Sequence, residues 1–452
     1  MRTLIYDVPD SKIMDEILSS PEIEVVYTIH PHANFKKDLD SSELTKKNFP
    51  PHINFEVSEK SQKIYLEFYD KYFNTFSYQF MRRGLKTLDI HEIRNYFSYF
   101  FHSFFKVIEK NNVELAIFFF LPHEGPDFIM YQITRLLGIK TILMHQSIFP
   151  NKYFTVKKCE DLGDFQISKN TEFKLNMNDI EKYKNIYSEA VRETKKKQKK
   201  NKKANTRFLK NLILRSLIKL KIIHREDQNY LQKKYEKNLS RVEKKYDEIK
   251  NFQKDKKIIF FPLHAQPELS TSLLGEKYED QILVLERLNS FAKDKWIVIA
   301  KENIYQTSYQ RDDFFFKRLK GLKNVFFVDK SESTQLIMND SDLVATICGT
   351  IGYEALTKSK KCLVFGNAWY KNFHGVLKIN NDISDSTIES FLKNNFDQNK
   401  FLGDLKNLLL FCDNGVATHD EVFKEMVQNF DSNQNSKSIL KNITKFIDLN
   451  YK

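Results

Sequence analysis

The stretch SDLVATICGTIGYEAL, residues 341–356, decides the fold because it joins a buried strand to a helix through a short loop of small residues. The apolar run at 342–347 predicts a strand, and the segment from 352 predicts a helix. The chain has only 12 glycines in 452 residues, yet Gly349 and Gly352 both lie in this turn. The first N–H groups of such a helix are unpaired, and the positive end of its dipole attracts anions. The stretch therefore predicts an α/β sheet with a phosphate site at the start of the helix.

Each polar or small residue of this turn has a predicted role. Gly349 lets a ligand approach the backbone, Thr350 caps the helix and binds an oxygen, and Gly352 permits tight packing. Glu354 lies one turn further on, where its carboxylate can accept hydrogen bonds from a ribose diol. The alternative is a glycine-rich turn that serves packing alone.

The rest of the chain alternates between short β-rich runs and helical stretches, which is typical of parallel α/β sheets. This pattern predicts two Rossmann-like domains, at 1–185 and 255–400, separated by a basic helical linker or insert at 186–254. Residues 401–452 are expected to form C-terminal helices. The predicted strands are 2–8, 23–29, 113–122 and 140–146 in the first half, and 257–264, 296–303, 324–329, 342–347 and 361–366 in the second.

Ligands of open α/β sheets bind beyond the carboxyl ends of the strands, so the loops there are the places to search for chemistry. The loop HEGP, residues 123–126, follows the most apolar strand of the first half. A carboxylate at such a position can deprotonate a hydroxyl, which makes Glu124 a candidate base and His123 its neighbour or substitute. The alternative is that Glu124 caps the following helix and His123 is a packed loop residue.

Two loops of the second half carry further candidate ligands for an anionic leaving group. In LHAQPELS, from 263, His264 can donate to a phosphate oxygen, and Gln266 adds a neutral donor. In AKENIYQ, from 300, Lys301 supplies a point charge for phosphate and is accompanied by Asn303. A structural hydrogen-bonding role for His264 and an ordinary surface position for Lys301 are the alternatives.

The formal net charge of +13 comes from one segment of the chain. Residues 195–225 hold 13 Lys and Arg and no acidic residue, so the remaining basic residues, 72 less 13, equal the 59 acidic ones. A nucleic-acid-binding groove is therefore not indicated. Leucines and isoleucines at helical spacing within 209–223 favour either a helix on an anionic membrane surface or an interdomain helix with a charged lead-in.

Several other classes of protein are excluded by simple features. No apolar run reaches the ~18 residues of a membrane span, and no secretory signal is visible at the start of the sequence. The four cysteines lack the spacing of a zinc site or a disulfide framework. No Gly-x-Gly-x-x-Gly follows a strand, which argues against a dinucleotide. We therefore expect a cytoplasmic protein that is at most peripheral to the inner face of the membrane.

The stretch from Phe261 to Gly366, with FPLHAQPELS, WIVIAKE, DLVATICGTIGYEAL and VFGNAWY, resembles the bacterial capsular polysaccharide biosynthesis proteins. These are GT-B glycosyltransferases related to 3-deoxy-manno-octulosonic acid (Kdo) transferases and, more distantly, to bacterial sialyltransferases. In the first half the resemblance depends mainly on HEGPD to MHQSIFP. It implies two facing domains, with an activated nucleotide sugar held mostly by the C-terminal one and the acceptor mostly by the N-terminal one. The terminal helices are then expected to pack back across the first domain.

The resemblance also assigns roles to particular residues. Gly349, Thr350 and Glu354 resemble the helix-end nucleotide site, and His264 faces the same cleft. The segment HEG resembles the acidic-acidic-glycine motif in which the sialyltransferase relatives keep their base, which favours Glu124. Relatives commonly read Lys-Glu-His-Pro where this chain has KENI at 301–304, so an asparagine replaces the histidine that would assist the departing phosphate.

The resulting prediction is a GT-B glycosyltransferase without a metal or other cofactor. It would transfer a sugar from a nucleotide donor, such as CMP-Kdo or a CMP-sialic-type acid, to a capsular or other surface glycan. Metal independence is expected because no Asp-x-Asp cluster ends a strand, while the acidic pair at 312–313 opens a helix. The alternatives are a CDP-polyol phosphotransferase of teichoic-acid-like polymer synthesis and a non-catalytic subunit of a glycan assembly complex.

Overall fold

Two β-sheets, each flanked by helices, organise the computed structural model. It describes residues 1–31, 38–44, 55–81, 89–165, 178–180, 183 and 228–452. The basic segment 195–225, and with it most of the predicted linker, lies outside the described residues. The two sheets confirm the predicted α/β fold class with one sheet in each half of the chain.

The first sheet has the strand order β13-β5-β4-β3-β1-β2. The four strands from β4 to β2 are parallel, as the Rossmann-like prediction requires, and β5 and β13 are antiparallel additions. Neither of these two was predicted from the sequence. The strands are β1 (Arg2–Tyr6), β2 (Glu24–Ile29), β3 (Leu115–Phe118), β4 (Lys140–Gln146), β5 (Lys152–Val156) and β13 (Asp413–Asn414).

Aromatic side chains form most of the core on one face of this sheet. Helices α3 and α4 pack together through rings such as those of Phe76 and Phe97, whose centroids lie 5.2 Å apart. Asp89 begins α4 with a capping box closed by Glu92. The helices of this half are α1 (Ser11–Leu18), α2 (Ser41–Leu44), α3 (Glu59–Met81), α4 (Ile90–Lys110) and α5 (Pro126–Leu136).

The second sheet has seven strands in the order β12-β11-β10-β7-β8-β9-β6, and all of its pairings are parallel. Its central strands are buried on both faces, as their continuous apolar sequences predict. The strands are β6 (Glu243–Lys244), β7 (Lys257–Pro262), β8 (Trp296–Lys301), β9 (Val325–Val328), β10 (Leu343–Thr346), β11 (Cys362–Val364) and β12 (Val376–Lys378).

Helices follow most strands of the second sheet. The described part of the predicted linker also packs here, since β6 pairs with β9 and Tyr235 contacts Phe316. The helices are α6 (Gln228–Val242), α7 (Tyr246–Phe252), α8 (Leu269–Ser272), α9 (Ile282–Ala292), α10 (Asp313–Lys320), α11 (Thr334–Asp340), α12 (Thr350–Thr357), α13 (Asp385–Lys393), α14 (Gln398–Phe411), α15 (Glu421–Glu425) and α16 (Ser432–Tyr451).

The end of the chain returns to the first half. Strand β13 pairs with β5, and α16 packs against α1, as Ser432 shows by donating to Asp10 at 3.0 Å. The expectation that the terminal helices pack across the first domain agrees with these contacts.

The two halves also meet directly through the loop that follows β11. Asn367 is buried, and its Nδ2 donates to the carbonyl of Cys159 at 2.8 Å. Lys371 Nζ lies 2.9 Å from a carboxylate oxygen of Asp164 and donates to the carbonyl of Glu160 at the same distance. These polar contacts fix the position of one half relative to the other.

Candidate active site

Two adjoining cavities open between the carboxyl ends of the two sheets. The bridging cavity, of about 360 Å³, is lined by both halves, including His145 and Ser147 of the first and His264 and Trp369 of the second. The helix-end cavity, of about 430 Å³, is lined by the second half, including Lys301 and Glu354. His264, Glu268, Ser270, Gly349 and Thr350 line both cavities, so the cavities meet at the start of α12.

Gly349 is the residue that places the start of α12 at this junction. It is the N-cap of the helix, and its N–H donates to the buried Thr346 hydroxyl at 3.1 Å. A Cβ at this position would lie 2.9 Å from His264 Cε1, closer than real Cβ contacts allow. A glycine is therefore required for the helix to begin against the histidine.

The first N–H groups of α12 are available to a ligand. Within the described residues, no acceptor is found for the N–H groups of Thr350 and Ile351, and both residues line the helix-end cavity. The Gly352 N–H bonds back to the Gly349 carbonyl at 3.2 Å. Thr350 is the first helical residue and makes no capping bond, so its predicted capping role is wrong.

Gly352 faces the protein interior rather than either cavity. A Cβ there would overlap the Tyr370 hydroxyl and lie 2.9 Å from Cys362 Sγ. Its predicted packing role agrees with this geometry. Gly352 is therefore not placed where it could bind a nucleotide, contrary to the prediction.

His264 lies at the junction, but its ring is already engaged. Nε2 is 3.0 Å from the Thr346 hydroxyl and Nδ1 is 3.1 Å from the Ser270 hydroxyl. The side-chain amide of Gln281 holds the backbone N–H and carbonyl of His264 at 2.8 and 2.9 Å. Burial lowers the pKa of His264 to about 4, so the ring is neutral at pH 7. The histidine thus orders the loop around the helix start, which is the structural role left open by the sequence.

Of residues 301–303 at the end of β8, Lys301 and Asn303 can offer donors to a bound ligand, and Glu302 supports the loop. Lys301 is buried and lines the helix-end cavity, where desolvation lowers its pKa. Asn303 lines the same cavity and accepts the Tyr305 N–H through Oδ1 at 2.9 Å, so its Nδ2 remains for a ligand. Between them, Glu302 forms a fully buried ion pair with Arg311 at 2.8 Å, which holds this loop in place.

Gln266 is not brought to either cavity. Its side chain is buried, donates to the Glu279 carbonyl at 2.5 Å and accepts from Arg311 Nη1 at 2.5 Å. The predicted nucleotide contact is therefore replaced by a supporting contact to the buried Arg311.

Glu354 does line the helix-end cavity, one turn beyond the exposed N–H groups. One of its carboxylate oxygens accepts from Gln335 Nε2 at 2.7 Å, which orients the side chain from the neighbouring α11. The predicted position beside a ribose agrees with this geometry, and the ribose contact itself stays a prediction.

In the first half of the chain, the HEGP loop is held by a residue that sequence reasoning missed. Asp127 is buried and accepts the N–H groups of His123, Glu124 and Phe128 at 2.7 to 2.8 Å. Burial, and then the charge of Glu124, raise the pKa of Asp127. Gly125, with φ of +100°, is the N-cap of α5, so the alternative of Glu124 as the helix cap is wrong.

His145 is a second missed residue of this side. It follows the predicted strand β4 and lines the bridging cavity, and burial together with the charge of His123 lowers its pKa to about 4. Because β3 and β4 are neighbouring parallel strands, the loop carrying Glu124 and the end of β4 lie at the same edge of the sheet. The charge of His123 acts on His145, but neither His123 nor Glu124 is among the residues that line the two cavities. His123 Nδ1 lies 2.7 Å from the Leu121 carbonyl.

The C-terminal segment adds a third side to the bridging cavity. Phe423 lines it, and the preceding His419 lies with Nε2 3.3 Å from Asp7 Oδ2 at the end of β1. Gln146 accepts the Ala417 N–H at 2.9 Å. The sequence carried no signal for these contacts, since the partners are far apart in the chain.

Two α/β sheets whose carboxyl ends face each other across a cleft, with a helix start opening into it, define the GT-B class of protein. The family model described as Capsule polysaccharide biosynthesis protein matches residues 180–396. The resemblance predicted from the sequence is thereby confirmed over that segment. Within residues 180–396 the chain is therefore similar to the capsule polysaccharide biosynthesis proteins, and its two facing sheets give it a fold of GT-B type.

Solved structures of similar proteins include two of KpsC from Thermosulfurimonas dismutans. The beta Kdo 2,7 transferase is 12% identical, with a TM-score of 0.29 over 68% of this chain and 89% of that chain. The beta Kdo 2,4 transferase is 8% identical, with a TM-score of 0.31 over 70% and 87%. UDP-GlcNAc 2-epimerase from Neisseria meningitidis is 12% identical, with a TM-score of 0.23 over 98% and 100%. No curated protein sequence matches the chain.

Proposed function

We propose that the protein transfers a sugar from a CMP-activated donor, Kdo or a sialic-type acid, to a growing capsular or other surface glycan. The observation that carries this proposal is the start of α12, where the N–H groups of Thr350 and Ile351 open into the helix-end cavity beside the bridging cavity. A nucleotide phosphate bound there would point its sugar toward the first half of the chain.

The surroundings of this helix start suit an anionic leaving group. Lys301 provides a buried cation whose pKa is lowered by desolvation, although nearby carboxylates such as that of Asp329 act in the opposite direction. A bound phosphate would add a further negative charge beside it. Asn303 replaces the histidine common in relatives and offers a neutral N–H donor from Nδ2. The phosphate charge that develops as the bond to the sugar breaks is therefore stabilised by amides, a lysine and the helix dipole.

The acceptor hydroxyl is proposed to attack from the first half of the chain. Its oxygen forms the new bond to the anomeric carbon, the bond from that carbon to the phosphate oxygen breaks, and the nucleotide leaves with the electron pair. The hydroxyl proton passes to Glu124, with His123 beside it. Asp127 positions both residues by accepting their backbone N–H groups.

No metal cofactor enters this scheme, and its absence from the reaction is a prediction. Among the described residues, no group of three or more His, Cys, Asp and Glu side chains is arranged to hold a metal ion. Turnover that persists in excess EDTA and is not raised by added Mg²⁺ or Mn²⁺ would support the scheme.

A peripheral contact of residues 195–225 with an anionic membrane is part of the proposal. In the described part of the chain, no helix combines the length and the apolar character that crossing a bilayer requires. Deleting residues 195–203 and repeating membrane fractionation tests the electrostatic contribution of the lysine-rich lead-in.

The experiment that tests the nucleotide site removes a single N–H donor. Proline is tolerated at the first position of a helix, and Gly349, at φ −74° and ψ 157°, has the extended conformation required before a proline. Thr350→Pro therefore deletes one N–H from the site while α12 is retained. Gln398→Pro, at the exposed first position of α14, is the matched control.

Calorimetric titration with CMP, CDP and UDP gives the outcomes. We expect the wild type to prefer CMP, Thr350→Pro to bind it at least roughly tenfold more weakly, and Gln398→Pro to match the wild type. A preference for CDP would favour the phosphotransferase alternative. Binding of none of the three nucleotides by the wild type would favour a non-catalytic subunit and contradict the proposal.

A further inference from the structure

A third cavity, of about 760 Å³, lies outside the cleft between α6 and α10. We call it the basic groove. Six of its lining residues are cationic, and one, Asp313, is acidic. Such an excess of one charge on one concave surface attracts a polyanion. The six cationic residues are Lys233, Lys234, Lys237, Arg241, Lys317 and Lys320.

Asp313 does not neutralise the groove. It is ion-paired with Lys234, and its Oδ1 accepts from Asn238 Nδ2 at 2.8 Å, so it joins the two helices. Among the described residues, no ion pair is found for the other five cations, whose side chains are exposed. Five positive charges therefore face outward from two helices that are fixed relative to each other.

Exposed apolar side chains lie at one end of the groove. Tyr230, Leu231 and Phe314, near the first turns of α6 and α10, are 61%, 49% and 71% exposed. Helix α10 begins after the loop that follows the carboxyl end of β8, so its first turn is at the cleft edge of the sheet. A hydrogen bond from the Ser308 N–H to Gln232 at 3.0 Å ties α6 to the loop after β8.

The same loop continues the apolar rim to the mouth of the cleft. Ile304 and Tyr305 are 60% and 64% exposed, and Ile304 also lines the helix-end cavity. A basic flank with apolar side chains at one border is the pattern of a surface that lies on an anionic bilayer, where lipid head groups meet the cations and the apolar groups enter the interface. A surface that binds a soluble polyanion would not require the exposed apolar rim.

We propose that the basic groove and its apolar rim, at 230–241 and 314–320, dock the protein on an acidic phospholipid bilayer. This surface is distinct from residues 195–225. Docked in this way, the mouth of the helix-end cavity lies beside the bilayer surface, where an acceptor glycan attached to a lipid is presented. The orientation toward a lipid-attached acceptor rests on the proposed function, whereas bilayer binding does not.

The test is co-sedimentation of the full chain with vesicles of phosphatidylcholine alone or mixed with phosphatidylglycerol. The variant Lys237→Glu/Lys317→Glu/Lys320→Glu reverses three groove charges. Its control, Lys12→Glu/Lys437→Glu/Lys441→Glu, makes the same change in net charge at exposed lysines elsewhere. A second pair, Phe314→Ser and Leu66→Ser, compares the rim with an equally exposed apolar residue of α3, 72% exposed.

We expect the wild type and both control variants to bind the mixed vesicles and not the neutral ones. The groove variant should bind at least roughly a hundredfold more weakly, and Phe314→Ser several-fold more weakly. Equal binding by the groove variant and its control would overturn the proposal. The proposal would also be overturned if the groove variant still bound the vesicles as the wild type does but no longer bound a soluble acidic polysaccharide. That result would assign the groove to a glycan. Nucleotide titration of the groove variant separates this outcome from failure of the proposed function.

Discussion

His264 Nε2 lies 3.0 Å from the hydroxyl of Thr346, and this hydroxyl also accepts the N–H of Gly349 at 3.1 Å. One buried threonine thus connects the histidine after β7 to the turn after β10. Because the His264 ring is engaged by Thr346 and is neutral at pH 7, it orders the site without bringing a positive charge to the cleft. It also makes the stability of the site sensitive to protonation of that ring.

Acid should destabilise the protein through His264. Burial lowers its folded-state pKa to about 4, below the value near 6.5 of an unfolded histidine, so its contribution is fully present above pH 6.5 and is lost as pH falls toward 4. Between pH 7 and pH 5 the linkage amounts to about 2 kcal/mol. His145 has the same direction and adds a similar loss.

Denaturant unfolding of the wild type and of His264→Gln at the two pH values measures this effect. The variant should be less stable than the wild type at pH 7 and should lose about 2 kcal/mol less on acidification. His91→Gln, at an exposed position of α4, is the control and should behave as the wild type does. A variant with the full acid sensitivity of the wild type would remove His264 from this role.

Gly349→Ala should weaken nucleotide binding by displacing the helix start. The new Cβ would lie 2.9 Å from His264 Cε1, so either the ring or the turn must move. We expect a loss of about 1–3 kcal/mol in the free energy of unfolding and at least tenfold weaker CMP binding. Gly403→Ala, at an exposed position of α14 where nothing lies within 4 Å, should instead be neutral or slightly stabilising. Thermal unfolding and calorimetry on both variants give the comparison.

Lys301→Met tests the charge on the phosphate side. The substitution keeps an unbranched side chain at a buried position and removes a cation that is desolvated, so stability should change little or rise. CMP affinity should fall at least roughly tenfold, because a charge-assisted contact is lost. Lys330→Met, at an exposed position beyond the site, is the control. Equal CMP affinity in the two variants would show that Lys301 does not contact the nucleotide.

The sequence predicted the strands of both sheets best where apolar runs are long and bounded by helices. It missed α3, whose aromatic residues are interleaved with polar ones, and the five-residue antiparallel strand β5. It also missed β6, β12 and β13, which have two or three residues each. Such short strands leave no periodic pattern, and β13 exists because the chain returns to pair with β5. Tertiary contacts, not local sequence, form these elements.

The candidate site shows the same division between local and distant information. The helix start at 349–354 was predicted because glycine and helix signals are adjacent in the sequence. The internal hydrogen bonds of His264 and Gln266 were not predicted, because their partners are distant in the sequence. Thr346 is 82 residues from His264, and Arg311 is 45 residues from Gln266. Sequence pattern identifies the loops at strand ends, whereas the fold decides which side chains are used internally.

Asn367→Ala should loosen the junction between the two halves. The buried side chain donates to the Cys159 carbonyl at 2.8 Å and accepts from Lys371 Nζ at 2.9 Å, so its removal leaves both partners short of a hydrogen bond. We expect a loss of about 1–3 kcal/mol in stability. Asn372→Ala is the matched control, since Asn372 contacts the same loop from an exposed position. Its loss should stay below about 1 kcal/mol in denaturant unfolding.

Glu124→Gln tests the proposed base while leaving its support intact. The loop is held by backbone N–H groups that donate to Asp127, and the substitution changes none of them. Unfolding and CMP binding should therefore match the wild type, while transfer to the acceptor should fall by at least roughly a hundredfold. Asp127→Asn should have the converse profile, with a less stable loop and reduced turnover, because an amide offers one oxygen where the carboxylate accepts through two. Near-wild-type turnover in Glu124→Gln, measured on a purified acceptor, would transfer the role of base to His123 or to a residue of the bridging cavity.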